Sequence, residues 1–371
     1  MAQLPDRAIT SAIVGICKYG VRIGYEGPAQ PTTIHPNLSS AMLDASLVSS
    51  DIEKELQMNR LQVFDEFNAL PANYIASPLG LTDKADGSKR RIHHLSYAVP
   101  GLISINSGIP EEYGTITYSS LKDAINSVQL FGKNCILIKR DFESAFCHIP
   151  VSHLDCPLLG FHWKSKYYTE RCLPFGLRTA PYLFNLFAEV FHWALEDKLR
   201  ELGLPAAVIH YLDDFFLVLP LGSKPASYTK IFHSLCQEVG LSIKDSKSEQ
   251  GSIASFAGIE IDTGLMVIRL PTSKLHKARK IVQAALQERS LSLRELQQIT
   301  GYLNFVSTVV PLGRTFLRRL YNMELFFPPG DGNQRRRISS EGRKDLAWWA
   351  EVLSGTPERS ITTLDRETIL A

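Results

Sequence analysis

The chain lacks three features that would each place it in a different class of protein. No apolar stretch approaches the roughly 20 residues that span a bilayer, so the sequence predicts no membrane segment. Residues 1–10 lack the basic-then-apolar pattern of a secretory signal. The six cysteines are scattered and form no Cys-x-x-Cys pair, which argues against a disulfide framework. The sequence therefore predicts an intracellular protein of the cytoplasm or nucleus.

The composition is that of a globular protein with an uneven charge distribution. The 371 residues are 44% hydrophobic and 21% charged, enough for two or three units with a large core. The net charge is only +2, but residues 269–344 hold 15 Lys and Arg against 5 Asp and Glu. Such a basic region predicts contact with a polyanion, and the alternative is a set of solvated helix faces.

Asp213 and Asp214 are adjacent acids inside an apolar segment. Burial and mutual repulsion both oppose their ionisation, so the pair predicts a cation, most plausibly Mg²⁺, bound against it. Neighbouring side chains of a flat strand point to opposite faces, so two acids serving one site fit a hairpin turn better. The flanking segments 208–212 and 215–219 indicate the two strands. The alternative is a solvated turn.

A third acid follows another apolar segment. Residues 135–138 predict a buried strand that ends at Asp141. An acid at a strand end beside a hairpin with two more gives three carboxylates that could converge. Such a set suits a two-metal site for phosphoryl transfer, with ions roughly 3.5–4 Å apart. From the residues alone, the spatial link between Asp141 and Asp213 is a hypothesis.

Three ordered motifs resemble those of reverse transcriptases. They are Lys-Arg-Asp-Phe-Glu-Ser-Ala-Phe at 139–146, Leu-Pro-Phe-Gly at 173–176 and Tyr-Leu-Asp-Asp at 211–214. The resemblance extends from about residue 70 to about 325, and more weakly to 355. It is closest to the enzymes of retrotransposons, and among these to the DIRS-like group.

The resemblance implies an α+β fold of the right-hand polymerase type, with an antiparallel palm sheet. Residues 51–270 would form the fingers and palm, 271–325 a helical thumb, and 326–371 the start of a connecting segment without a ribonuclease H domain. Residues 1–50, rich in Pro, Gly and Ser, are expected to be loosely structured, with one short strand near 13–16.

Two local patterns predict helix starts. Thr179 can cap a long helix that begins near Pro181 and ends before Gly203. Ser292 and Glu295 form a capping box at the start of a helix in the basic region.

The resemblance also implies a reaction and its catalytic residues. The chain would be a nucleotidyltransferase, an RNA-directed DNA polymerase that adds deoxynucleotides to a primer 3′-hydroxyl. Asp141 and Asp213 would hold two Mg²⁺ ions, with Mn²⁺ as an alternative, and Asp214 would assist. Lys247 aligns with a lysine that protonates pyrophosphate, and a solvated lysine is the equal alternative.

Substrate contacts follow from the same motif matches. Lys84 and Arg90, on a hairpin indicated by Asp86-Gly87, would bind the triphosphate, with Arg91 as the alternative to Arg90.

Aromatic and glycine residues complete the expected site. Phe146 would lie against the sugar and exclude a 2′-hydroxyl, and Phe175 with Gly176 would support the nascent base pair. Phe256 and Gly258 belong to a segment that resembles the primer-gripping hairpin.

The expected partners are an RNA or DNA template, a DNA or RNA primer and deoxynucleoside triphosphates; the sequence predicts no oligomeric state. The main alternative is a catalytically decayed or domesticated copy that still binds nucleic acid through its basic thumb. A glycosidase with paired acids is disfavoured, because its carboxylates must flank a sugar rather than be adjacent in sequence.

Overall fold

The structure is a computed structural model that describes residues 7–84, 87–328 and 334–363. Helices and mainly antiparallel strands alternate along the chain, so the predicted α+β class is confirmed. None of the described helices combines the length and the apolar character needed to cross a membrane.

The helices and strands are as follows. The α-helices are α1 (Arg7–Tyr19), α2 (Ser39–Leu43), α3 (Ala45–Gln57), α4 (Leu121–Phe131), α5 (Ala180–Glu201), α6 (Pro225–Val239), α7 (Thr272–Gln287), α8 (Leu293–Val306), α9 (Arg318–Glu324) and α10 (Ser340–Ser354). The strands are β1 (Thr33–Ile34), β2 (Leu61–Phe64), β3 (Ile75–Ala76), β4 (Leu79–Asp83), β5 (Lys89–His93), β6 (Ile136–Asp141), β7 (Gly160–Trp163), β8 (Lys166–Glu170), β9 (Ala207–Tyr211), β10 (Asp214–Leu219), β11 (Glu249–Gly251), β12 (Ile253–Phe256), β13 (Ile259–Asp262), β14 (Val267–Arg269), β15 (Ser290–Ser292), β16 (Arg335–Arg337) and β17 (Glu358–Ser360).

A four-stranded antiparallel sheet, in the order β11-β6-β10-β9, lies at the centre of the chain. Successive side chains of a strand point to opposite faces, so β6 and β10 contribute to two separate cores. Ile138 and Phe215 pack with α5 and α6 on one face. Leu137 and Phe216 pack with α4, the β12–β13 hairpin and the C-terminal helices on the other. This apolar packing holds the central sheet rigid between two helical layers.

A third, smaller core lies among residues 41–168, the part of the chain expected to include the fingers. A five-stranded sheet runs in the order β1-β3-β7-β8-β2, and the two-stranded hairpin β4–β5 lies beside it. Val48 and Ile52 of α3 pack against Phe161 and Trp163 of β7 in this core. The hairpin β4–β5 is therefore supported at its base, while Lys84 at its tip is exposed. Asp86 of the predicted turn lies outside the described residues.

The described C-terminal residues do not form a separate body after residue 325. Helix α10 packs against α7, and β17 pairs with β14 as the outer strand of the sheet β12-β13-β14-β17. Trp349 is fully buried in the core that α7 and α8 share with the central sheet. Arg279 of α7 donates to the Leu353 carbonyl at the end of α10. The boundary predicted at 326 therefore divides residues that pack together.

The N-terminal prediction was wrong where helices occupy residues 1–50, while residues 20–38 contain no helix and only the short strand β1. The expected strand near 13–16 is part of helix α1, and residues 39–43 and 45–57 are helical as well. Ile9, Ile13 and Ile16 recur at helical spacing and are partly buried, with α1 packed against α5. The helical period of these residues outweighs the strand preference of isoleucine.

One predicted cap is confirmed and one is wrong. The Ser292 hydroxyl accepts from the Glu295 amide at 3.2 Å, and the Glu295 carboxylate accepts from the Ser292 amide at 2.7 Å. Thr179 precedes α5, but its hydroxyl donates to the Ile23 carbonyl at 2.9 Å instead of capping the helix. Thr179 therefore ties α5 to the N-terminal segment.

Candidate active site and nucleotide pocket

Two of the predicted acids face each other across the central sheet. Asp141 is the last residue of β6, Asp214 is the first of β10, and the two are direct cross-strand partners. Such partners project from the same face with Cβ atoms about 4.5–5.5 Å apart. Asp213 lies in the adjoining turn, where its carbonyl accepts from the Phe142 amide at 3.1 Å. The structure thus brings Asp141 together with the adjacent pair Asp213 and Asp214, which lies far from it in sequence.

The hairpin turn consists of Leu212 and Asp213, one residue earlier than the sequence suggests. Asp214 consequently belongs to the strand ladder, where it faces Asp141. Leu212 has φ 54°, a left-handed conformation that is uncommon for a bulky residue and that occurs preferentially at functional sites. Tyr211 pairs with Asp214, and its ring stacks on Tyr118 at 4.5 Å between centroids.

Two lysines lie against the acids. The Lys247 ammonium is 2.6 Å from the Asp141 Oδ2 atom, and the Lys139 ammonium is 3.5 Å from the Asp214 Oδ2 atom. The Lys244 amide donates to the Asp141 carbonyl at 2.8 Å, which holds the segment before Lys247 in place. Burial lowers the pKa of Lys247, but its hydrogen bond and attraction to Asp141 outweigh burial and raise the pKa. Lys247 is therefore a protonated donor at neutral pH.

The acid cluster remains short of positive charge. Burial, followed by repulsion from Asp141, raises the pKa of Asp213. Burial also raises the pKa of Asp214 to about 6, although Lys139 counteracts it. Within the described part of the chain, the buried Asp214 Oδ1 atom has no hydrogen-bond partner. An oxygen-preferring divalent cation fits such a cluster.

The same described residues contain no set of three or more His, Cys, Asp or Glu side chains already arranged to hold a metal ion. The carboxylates of Asp141 and Asp214 instead face the ammonium groups of Lys247 and Lys139. Cation binding at this cluster would therefore compete with these two lysines.

A cavity of about 920 Å³ connects the acid cluster to the fingers. Asp141, Asp213 and Lys247 line this cavity together with Lys84 and Arg90 of the β4–β5 hairpin. A cavity lined by both carboxylates and cationic side chains fits a ligand that carries phosphates and needs metal ions.

Arg90 and Arg91 have different environments, which resolves the alternative between them. Arg91 is buried and forms ion pairs with Asp51 at 2.6 Å and with Glu170 at 3.2 Å. Arg90 is exposed, and its guanidinium lies 4.8 Å from the centroid of the Phe175 ring at the cavity wall. Arg91 therefore braces the hairpin, and Arg90 is the arginine available to a ligand.

The aromatic and glycine residues of the prediction lie along the cavity wall. The rings of Phe146 and Phe175 are 5.1 Å apart between centroids, and both residues line the cavity. Gly176 has φ 108°, and a Cβ atom there would overlap the His93 carbonyl oxygen. Only glycine therefore allows this loop to approach strand β5 so closely.

Asn106 is a site residue that no sequence pattern indicates. Its Nδ2 atom donates to the Gly176 carbonyl at 2.8 Å, and its Oδ1 atom accepts from the Arg178 amide at 2.8 Å. It therefore clamps both ends of the turn that carries Phe175. A buried Asn in an irregular segment gives no periodic signal, and only its contacts reveal the role.

The segment that resembles the primer-gripping hairpin forms a tight turn between β12 and β13. Ala257 and Gly258 have φ 48° and 78°, and Ala257 is exposed. The Phe256 ring is fully buried and packs on Phe216 at 5.1 Å, so this side chain anchors the hairpin and does not point into the cavity. The Lys274 ammonium lies against Gly258, where a Cβ atom would overlap it.

The chain is similar to known reverse transcriptases in sequence. Residues 89–261 match the family described as "Reverse transcriptase (RNA-dependent DNA polymerase)". The "Genome polyprotein" of Petunia vein clearing virus is 24% identical over 256 residues, which are 62% of this chain and 11% of that polyprotein. The "Gag-Pro-Pol polyprotein" of Human T-cell leukemia virus 3 is 26% identical over 191 residues, which are 49% of this chain and 12% of the polyprotein. The matches thus span about a tenth of these relatives.

Solved structures share the fold. A foamy viral protease–reverse transcriptase in complex with double-stranded DNA matches with a TM-score of 0.66 and 16% identity, over 95% of this chain and 58% of the other. The foamy viral enzyme in complex with an RNA/DNA hybrid matches with a TM-score of 0.66 and 18% identity, over 95% and 44%. Residues 89–261 are therefore similar to the reverse transcriptase family, and the chain has the predicted polymerase fold.

Proposed function

We propose that this chain is an RNA-directed DNA polymerase that extends a primer 3′-hydroxyl with deoxynucleotides. One observation carries the proposal: Asp141 and Asp214 face each other beside Asp213, at the end of a cavity that Lys84 and Arg90 close from the fingers. The similarity to reverse transcriptases supports the same conclusion. An RNA or DNA template and its primer would contact the basic region at 269–344.

The fingers hairpin would bind the triphosphate of the incoming nucleotide. Lys84 would act as a point charge, and Arg90 would use its planar fork to hold two phosphate oxygens. To do so, Arg90 would have to leave the face of Phe175, a contact of modest energy at an exposed site. Arg91 would stay bound to Asp51 and keep the hairpin in place.

Two Mg²⁺ ions, when bound to Asp141 and Asp213 with help from Asp214, would lower the pKa of the 3′-hydroxyl and neutralise the charge on pyrophosphate. Lys247 lines the same cavity and would donate a proton to the departing pyrophosphate. Its ammonium would first have to leave Asp141, which is feasible because the Lys247 side chain is 52% exposed.

The aromatic wall would select the sugar and support the base pair. Phe146 is half-buried between Phe175 and Phe184, with ring centroids 5.1 and 5.9 Å away, so its ring cannot swing aside freely. A fixed ring against the sugar would exclude a 2′-hydroxyl and so favour deoxynucleotides. Gly176 would let the loop that carries Phe175 close under the nascent base pair.

We also propose that the chain comes from a retrotransposon, with the DIRS-like group as the nearest relatives. Phe175 in Leu-Pro-Phe-Gly supports this proposal, since many retroviral enzymes have Gln at that position. An intracellular location is proposed as well, and the six free cysteines are consistent with a reducing compartment.

Primer extension tests the proposed activity. The purified chain is given one primer annealed to an RNA or a DNA template of the same sequence, with deoxynucleotides and Mg²⁺. We expect extension on both templates, and a loss of at least about 100-fold for Asp213→Asn, because one acid of the metal-binding set is neutralised. Asp65→Asn is the matched control, since Asp65 is exposed and lies outside the cavity.

Two outcomes would contradict the proposal. Extension by Asp213→Asn at the wild-type rate would remove the acid cluster from the reaction. Template–primer binding without extension by the wild-type chain would instead support a catalytically decayed protein that retains nucleic-acid binding.

A further inference from the structure

Lys139 shares the face of β6 that carries Asp141. The two residues are separated by two positions on one strand, so their side chains point the same way. Lys139 pairs in register with Phe216 on one neighbouring strand and with Glu249 on the other. Its ammonium lies 3.5 Å from the Asp214 Oδ2 atom. A lysine on an inner strand of the sheet is therefore aimed at the acid cluster from within.

The two lysines of the cluster differ in their freedom to move. The Lys139 side chain is 13% exposed, whereas that of Lys247 is 52% exposed. Lys139 is confined by packing between two paired strands, but Lys247 is the last residue of a one-turn 3₁₀ helix that borders the cavity. The Lys247 ammonium can move into solvent once a cation takes its place at Asp141, whereas the Lys139 side chain is too enclosed to do the same.

Asp214 differs from the other two acids as well. Asp141 and Asp213 line the cavity, and Asp214 is not among its lining residues. The Asp214 Oδ2 atom faces Lys139, and its buried Oδ1 atom has no hydrogen-bond partner within the described residues. The Asp214 side chain is 26% exposed, and a largely buried carboxylate without a countercharge is costly, so the Lys139 ammonium is its principal stabilising partner.

We propose that Lys139 is a positioning residue, a fixed countercharge that neutralises Asp214 and so leaves Asp141 and Asp213 as the pair that bind divalent cations. This inference rests on the proposed function. Lys247 is the exchangeable countercharge, displaced from Asp141 when cations bind. Lys139 thus limits the negative charge of the cluster, and its ammonium weakens the attraction between the cluster and a divalent ion.

Two measurements on the full chain test this role. The first is the Tm in EDTA, and the second is the Kd for Mn²⁺, measured by electron paramagnetic resonance without nucleotide or primer. The variants are Lys139→Met, Lys139→Arg and the double variant Lys139→Met with Asp214→Asn. Lys230→Met is the control, because Lys230 is exposed on α6 away from the cavity.

We expect Lys139→Met to lower the Tm in EDTA by about 5 °C, because it leaves the partly buried Asp214 carboxylate without a countercharge. The same variant should bind Mn²⁺ on the order of tenfold more tightly, since a competing positive charge is gone. Lys139→Arg keeps the charge and should stay within about twofold of the wild-type Kd. The double variant should restore both the Tm and the Kd towards wild-type values.

An unchanged Kd for Mn²⁺ in Lys139→Met would overturn the inference, whether or not the Tm falls, because a merely structural lysine would affect stability alone. If Lys139→Met does not fold, a double variant that also fails to fold would overturn it, and a folded one would support it. Primer extension by the wild-type chain is a separate readout. The absence of primer extension would contradict the proposed polymerase activity, but it would not change what the Kd for Mn²⁺ says about Lys139.

Discussion

The palm and fingers parts of the cavity wall are built in opposite ways. At the palm end, Asp141 and Asp214 are held by paired strands of the central sheet, and the Asp141 side chain is only 3% exposed. At the fingers end, Lys84 and Arg90 are exposed on a two-stranded hairpin. Buried carboxylates need a cation to remain charged, whereas exposed cations are already solvated. The palm end therefore fixes geometry, and the fingers end can adapt to the ligand.

Arg91→Ala should have the largest effect on stability, because it removes the ion pairs that hold the β4–β5 hairpin in place. Asp51 and Glu170 would lose their shared partner, and Glu170 is buried. We expect the free energy of unfolding to fall by about 3 kcal/mol, measured by urea denaturation. Arg91→Lys keeps the charge but loses the forked geometry, so it should recover only part of the loss. Full stability of Arg91→Ala would show that the hairpin needs no brace.

Arg90→Ala should affect the ligand and not the fold. Removing an exposed guanidinium that contacts a ligand phosphate costs about 2 kcal/mol of binding, so we expect the KM for deoxynucleotides to rise roughly 30-fold. The Tm should stay unchanged, in contrast to Arg91→Ala. Arg200→Ala, an exposed arginine on α5, serves as the control. If the two hairpin variants behaved alike, the distinction between brace and ligand contact would be lost.

The smallest expected effect concerns pH at the palm end. The pKa of Asp214 rises from 3.8 to about 6 in the folded chain, chiefly through burial. The folded state therefore binds a proton more tightly than the unfolded state, and this contribution to stability is lost as the pH rises from about 4 to about 6.

We expect the stability of the wild type in EDTA to decline relative to Asp214→Asn across this window. The measurement is the free energy of unfolding of both proteins at several pH values. If the free energies of unfolding of the two proteins followed parallel curves against pH, ionisation of Asp214 would not destabilise the folded state.

The acid cluster could be predicted because its determinants are local in sequence. Three short motifs in a fixed order identified Asp141, Asp213 and Asp214, and the structure places these residues at adjoining strand ends. The position of the turn could not be read to one residue. A left-handed Leu212 has no sequence signal, since leucine is a poor residue for that conformation.

The choice between Arg90 and Arg91 was not available from sequence either. Adjacent residues of a strand face opposite ways, so a one-residue difference in register exchanges an ion-paired arginine for a free-standing one. Asn106 contacts Gly176, which is 70 positions away, and Tyr118 contacts Tyr211, which is 93 positions away. No local sequence pattern encodes contacts of this range. The site therefore combines acids that motifs indicate with supporting residues that only the packing reveals.

The outer strand β17 limits where the chain can be truncated. A fragment that stopped at the thumb boundary suggested by the motifs would strip the outer strand from β14 and uncover the apolar groove filled by Trp349. Unpaired strand edges and exposed grooves promote self-association. We therefore expect a fragment that ends at that boundary to self-associate for reasons unrelated to its activity, and residues 334–363 belong in any fragment meant to stay monomeric.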